Sequence, residues 1–216
     1  MASNAPFGFS PVIMNGKEPP LNVYAPSGYC IASGYSTGIR FGDLVKLSGT
    51  ANLAADSTAQ YIVGTRPDIV KSAAGDVHTG VFAGVAWTDA TTKERKFSKF
   101  WAASTTGKDI VAYVYDHENT VFSAQYAGVT GTNPFTAADV GLSKTATIGS
   151  TSTQISDSVI SVTTPNESSA FGDVLILGAT DTADNAVIAD YARLNVIIRL
   201  HRMRGAAAAT GLPVSQ

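Results

Sequence analysis

The segment over residues 193–201 has the sharpest pattern in the chain. Leu194, Val196, Ile198 and Leu200 alternate with Arg193, Asn195, Ile197, Arg199 and His201. Alternation at period two predicts a half-buried strand with one apolar and one largely polar face. Strand-like runs recur upstream. Gly42-Asp43 is a turn signal before Leu44-Val45-Lys46-Leu47, which Ser48-Gly49 interrupts. Further strands are predicted at Tyr61–Val63, Val77–Trp87, Phe97–Ala102, Ile110–Tyr115 and Val121–Gln125. Gly80 and Gly84 inside one of these runs point to bulges or close backbone approach. Asp116-His117-Glu118-Asn119 reads as a hairpin loop with a solvated tip.

Thr136–Val140 is a helical candidate of a turn or two, led by Pro134 and stopped by Gly141. Residues 143–169 are rich in Ser and Thr, with strands suggested by Ile155, Val159, Ile160 and Val162. Phe171-Gly172-Asp173-Val174-Leu175-Ile176-Leu177 echoes Phe41-Gly42-Asp43-Leu44-Val45-Lys46-Leu47, although Gly-Asp before a strand is common turn chemistry. Short, closely spaced strands separated by turn residues predict an all-β fold. The expected architecture is an antiparallel β-sandwich or a jelly-roll-like barrel, with at most one or two short helices.

Three regions are expected: an extended N-terminal arm over 1–28, a β domain over 29–204 and a flexible Ala-rich tail over 205–216. Pro6, Pro11, Pro19, Pro20 and Pro26 exclude a helix from the arm and most strand pairing. The arm still carries Phe7, Phe9, Val12 and Ile13. These side chains either pack on the chain's own core or dock on a neighbouring subunit.

Composition adds a bias towards assembly. Only 15% of the 216 residues are charged, against about a quarter in an average soluble protein. Hydroxyl and small side chains fill the gap, and such a surface repels copies of itself weakly. A formal net charge of -2 supplies no broad field for nucleic-acid phosphates. Cys30 is the single cysteine, so no intrachain disulfide or thiolate cluster can form, and it reads as a small apolar residue in or beside a strand. The N-terminus lacks the basic start and apolar core of a signal peptide, and no apolar run reaches the roughly 18 residues of a membrane helix. Synthesis in a cytoplasm is therefore expected.

The search for chemistry yields little. Gly34-Tyr35-Ser36-Thr37-Gly38 fits a nucleophile-elbow pattern, but Ile39-Arg40-Phe41-Gly42-Asp43 cannot supply the helix such a site needs. His78, His117 and His201 are too far apart in sequence for a helical zinc motif. Asp181, Asp184 and Asn185 lack a calcium-loop pattern, and Asn166-Glu167-Ser168 is a glycosylation sequon that matters only on secretion. No enzyme activity, cofactor, metal or small-molecule substrate is expected. Two basic groups stand out, Lys93, Arg95, Lys96 and Lys99, and Arg199, Arg202 and Arg204. Each is either a solvated face or a contact for an acidic partner surface.

Ordered pieces of the chain resemble a known family. They are Ala5-Pro6-Phe7-Gly8-Phe9-Ser10-Pro11-Val12 with Asn15-Gly16, Gly42–Gly49, Ala74-Gly75-Asp76 leading to Gly80–Val85, and Val121–Gln125. The second half adds Ala138–Leu142, Leu177-Gly178, Asp184-Asn185 and Tyr191-Ala192-Arg193 with the closing strand. Together they resemble virion structural proteins of the capsid decoration (cement) type, encoded beside the major capsid protein in tailed bacteriophages. Two features depart from the family: Ser10 where Arg is common, and the run beyond the last strand through Met203-Arg204-Gly205. The resemblance implies a homo-oligomer, commonly a trimer, on the outer capsid surface, bound to the major capsid protein and bridging capsomers. The partner-interface candidates are Phe7, Phe9 and Val12 in the arm and Arg202 and Arg204 at the C-terminal end. A second reading is a virion-associated binder of host carbohydrate, for which Trp87, Trp101 and Tyr113 would form an aromatic platform unless they pack in the core.

Overall fold

The computed structural model describes residues 4–13, 16–53, 65–127, 135–149, 154–161, 172–182, 185 and 191–204. Along the chain the strands are β1 (Ser10–Pro11), β2 (Ile39–Arg40), β3 (Leu44–Leu53), β4 (Thr65–Lys71), β5 (Gly80–Asp89), β6 (Arg95–Ser98) and β7 (Phe100–Trp101). They continue as β8 (Gly107–Tyr115), β9 (Val121–Gln125), β10 (Ser143–Lys144), β11 (Ala146–Thr147), β12 (Val159–Ile160), β13 (Val174–Ala179) and β14 (Arg193–Ile198). One sheet runs β4-β3-β5-β6, with β8 on the other edge of β5, and a second runs β1-β9-β14-β13-β10. The ladders are antiparallel, and no sheet among the described residues closes into a barrel. The fold is all-β and sandwich-like. Helical structure is limited, among the described residues, to 3-10 turns at Ala137–Asp139 and Arg202–Arg204. The expected strands at Tyr61–Val63 and Val162, the sequon and the tail over 205–216 lie outside the described residues.

Strand pleating explains how two cores arise from one sheet. Leu44 and Val45, and likewise Val81 and Phe82, are adjacent residues that belong to different buried clusters. Successive side chains of a strand point to opposite faces, so where β3 meets β5 the sheet is buried on both sides. One cluster joins Phe9, Leu44 and Val81 to Phe122, Ile176, Leu194 and Val196 of the second sheet. The other packs Ile31, Ile39, Val45, Ile69, Phe82 and Trp101. Each such side chain contributes about 1.5–3 kcal/mol by leaving water.

The glycines expected to mark irregularity do so. The β5–β8 register shifts between Phe82 and Gly84, and a Cβ on Gly80 would collide with the Tyr115 carbonyl. The run over Phe97–Ala102 is divided into β6 and β7. Cys30 is buried and bridges to Asp68 beside β4.

Two expectations need correction. Residues 116–119 do not close a hairpin, because β8 pairs with β5 while β9 pairs with β14 and β1. They carry the chain from one sheet to the other, and Asp116 is fully buried rather than solvated. The closing strand's alternation ends at Ile198: the chain bends, and His201 is buried in a bridge with His78. Of the two readings of the N-terminal arm, packing on the chain's own core holds for Phe9. Phe9 is 0% exposed, and Ser10–Pro11 pair with Ser123 and Phe122 as an edge strand, where a proline costs no ladder bond.

Candidate partner-binding face

Asp116 organises the junction where the segment Val23–Tyr29 meets the β8–β9 connection. Its Oδ1 accepts the Val23 N–H at 2.6 Å, and its Oδ2 accepts the Tyr24 N–H at 2.9 Å and the Tyr29 hydroxyl at 2.8 Å. Burial, with the Asp116 carboxylate beside it, pushes the Tyr29 hydroxyl pKa far above its usual value. Tyr24 stacks on His117 at 6.3 Å and donates to Glu118, which raises the tyrosine and lowers the carboxyl.

The same stretch also closes two sheet edges. Asn22 donates from its backbone N to the Val114 carbonyl and accepts the Val114 N–H on its side chain, and Tyr29 exchanges both backbone bonds with Ala112. Cys30 bonds the Pro67 carbonyl and accepts the Ile69 N–H along β4. Covering edges in this way suppresses strand-to-strand aggregation.

The five interface candidates divide by burial. Phe9 lies in the chain's own core, so its ring is not available to a partner. Phe7 and Val12 are half-buried, and Val12 N–H bonds the Val121 carbonyl at 2.9 Å. Arg202 and Arg204 are exposed on the final 3-10 turn. Arg204 Nη2 donates to the Glu118 carbonyl at 2.8 Å and to Asn119 Oδ1 at 2.9 Å. The arm and the C-terminal turn, remote in sequence, thus converge on the β8–β9 connection. Val23, Tyr24 and Met203 are exposed around it at 37%, 40% and 52%.

The turn is anchored by two buried histidines. His78 Nε2 lies 2.9 Å from Asp173 Oδ1, and the same carboxylate accepts the Gly75 and Ala146 N–H groups. His201 Nε2 donates to the Thr79 carbonyl at 2.9 Å, and its Nδ1 accepts the Met203 N–H at 3.1 Å. These two bonds require the neutral ring. Burial holds its pKa below the usual histidine value, outweighing the Thr79 carbonyl and Glu118.

The other candidates separate. Ser36 is exposed on a cleft with Arg40, Lys46 and Lys71, whereas all three histidines are engaged elsewhere. Among the described residues no group of three or more His, Cys, Asp or Glu is placed to hold a metal. Trp101 is fully buried with Trp87 edge-on at 5.5 Å, so these two rings pack in the core and form no platform.

The sequence reading missed the Asp116 junction and the exposure of Phe97. Asp116 reads as turn chemistry because its donors lie about 90 residues upstream. For Phe97 a signal was present: Arg95, Phe97 and Lys99 share one parity, and a core-facing strand does not flank a phenylalanine with cations at that spacing.

Compared with protein-family models, curated proteins and solved structures, the chain matches none.

Proposed function

We propose that the chain is a capsid decoration protein: a non-enzymatic component that binds the outside of a phage head as a homo-oligomer, favouring a trimer, and bridges subunits of the major capsid protein. One observation carries the reading. The arm at Val23 and Tyr24 and the turn at Arg204 are both bonded to the β8–β9 connection, where exposed Val23, Tyr24 and Met203 sit beside Arg202 and Arg204. A surface with apolar anchors and a cationic rim suits docking, and the covered β4 and β8 edges favour side-chain contact over strand exchange there. In a symmetric shell, modest contacts repeat across many copies.

Co-sedimentation with purified shells lacking the protein tests this. Wild type should pellet with the shells in saturable amounts. The Arg202→Glu/Met203→Ser double variant, altered at exposed positions, should remain in the supernatant while keeping its circular dichroism spectrum. Failure of wild-type protein to pellet would refute the reading.

A further inference from the structure

A second surface lies on the outer face of the β5–β6–β8 sheet. Phe97 is 73% exposed, the highest value for a large apolar side chain among the described residues. In register it faces Ala86, which faces Val111 on β8. The next row of the same face holds Gly84 opposite Tyr113. Lys99 reaches this row and lines a groove of about 430 Å³ with Ile13, Leu21, Phe41, Tyr113 and Tyr115. The exposed Phe97 ring and the aromatic groove are therefore neighbours on one face, about 7 Å apart along the strand.

Cations frame this surface. Arg95 sits over the Phe97 ring at 5.9 Å, and Lys99 over Phe41 at 5.6 Å. Arg95, Phe97 and Lys99 follow one another on the same parity, each exposed, with exposed Lys93 in the preceding turn. Against them stand exposed Glu94 beside the strand, exposed Glu18 on the groove wall and half-buried Asp109, whose backbone carbonyl accepts Arg95 Nη1–H at 2.7 Å; exposed Lys108, opposite Thr88 in the row of Arg95, keeps the balance positive. A second copy would bring the same excess of positive charge, so like-charge repulsion opposes self-pairing here.

We infer that this face receives an extended segment of a protein partner in which apolar side chains alternate with carboxylates. The apolar positions would cover Phe97 and enter the groove, and the carboxylates would meet Arg95, Lys99 and Lys93. The chemistry is that of strand-like peptide recognition, with aromatic contacts for affinity and charge for orientation. Within the proposed function the segment belongs to the capsid partner, and in that assignment the inference rests on that reading.

The test uses the full chain and fluorescein-labelled peptides in fluorescence anisotropy. The probe Glu-Leu-Glu-Phe-Glu-Leu-Glu should bind saturably and weaken as salt rises. The Lys-for-Glu version should not bind. Phe97→Ser and Arg95→Glu should each weaken binding by about tenfold or more, with unchanged melting temperature, whereas Leu177→Ser, at another exposed apolar position, should leave it unchanged. Absence of binding to the acidic probe, equal binding of both peptides, or wild-type affinity in the Phe97 variant would overturn the inference. So would sedimentation showing that Phe97→Ser dissolves a self-associated form. Peptide binding by a protein that fails to pellet with shells would preserve this face and refute the capsid reading; the reverse pattern would refute this face alone.

Discussion

The Tyr29 hydroxyl and Asp116 Oδ2 lie 2.8 Å apart in the interior, joining the residue that follows the N-terminal arm to the crossing between the two sheets. The carboxylate is fully buried and accepts two backbone N–H groups besides the hydroxyl. Removing it leaves three donors without an acceptor. Asp116→Ala should therefore cost roughly 2–4 kcal/mol, and Tyr29→Phe about 1–2 kcal/mol. A double-mutant cycle in urea should show the two changes to be coupled, since each loses the same bond.

Phe9 tests how the arm is used. Its ring belongs to the cluster with Leu44, Phe122 and Val196, so Phe9→Ala should cost about 3–5 kcal/mol. Deletion of residues 1–20 should lower the denaturation midpoint, because it removes Phe9 and the edge strand β1. Urea unfolding of both variants checks this. Loss of capsid binding on deletion would therefore not identify the arm as a contact, and substitution at an exposed arm position such as Tyr24 is the cleaner probe.

Gly80 lies against the carbonyl of Tyr115, with no room for a side chain. Gly80→Ala must push β5 and β8 apart where Gly80 meets the Tyr115 carbonyl. A loss of about 1–3 kcal/mol is expected in thermal or chemical unfolding, the range for overpacking.

The pH dependence follows from His201. Its folded pKa is lowered because burial disfavours the charged ring, so at low pH the unfolded chain binds the proton more readily than the folded one. The stabilising contribution is fully present above the unfolded value near 6.5 and is lost as pH falls below it. Denaturation midpoints should drop between pH 7.5 and 5.5 in the wild type and drop less in His201→Gln. An equal drop in both proteins would show that other groups carry the effect.

Much of the sheet structure was legible in the sequence because it rests on local alternation. The strands around Leu44, Gly80–Trp87, Ile110–Tyr115, Val121–Gln125 and Leu194–Ile198 stand where the apolar periodicity puts them. Partnership was not legible. Nothing near residue 116 reveals that β8 and β9 belong to different sheets, because pairing depends on strands far away in sequence. The Gly-Asp echo held more than turn chemistry. Asp43 and Asp173 are both fully buried and both precede strands: Asp43 receives Arg40 N–H, the Ser156 hydroxyl and Lys71, and Asp173 receives His78 and two backbone N–H groups. Of the interface candidates, sequence distinguished apolar from charged residues but not Phe9 in the core from Arg204 at the surface, since an arm's burial depends on whether a partner strand lies beside it.

The decoration reading is tested most directly by a mass-spectrometric and cryo-EM inventory of phage particles whose genome encodes this chain. It predicts the protein in fixed stoichiometry to the major capsid protein, with density on the outer shell contacting more than one capsid subunit. Particles that carry none of it, or carry it only on the tail, would contradict the claim.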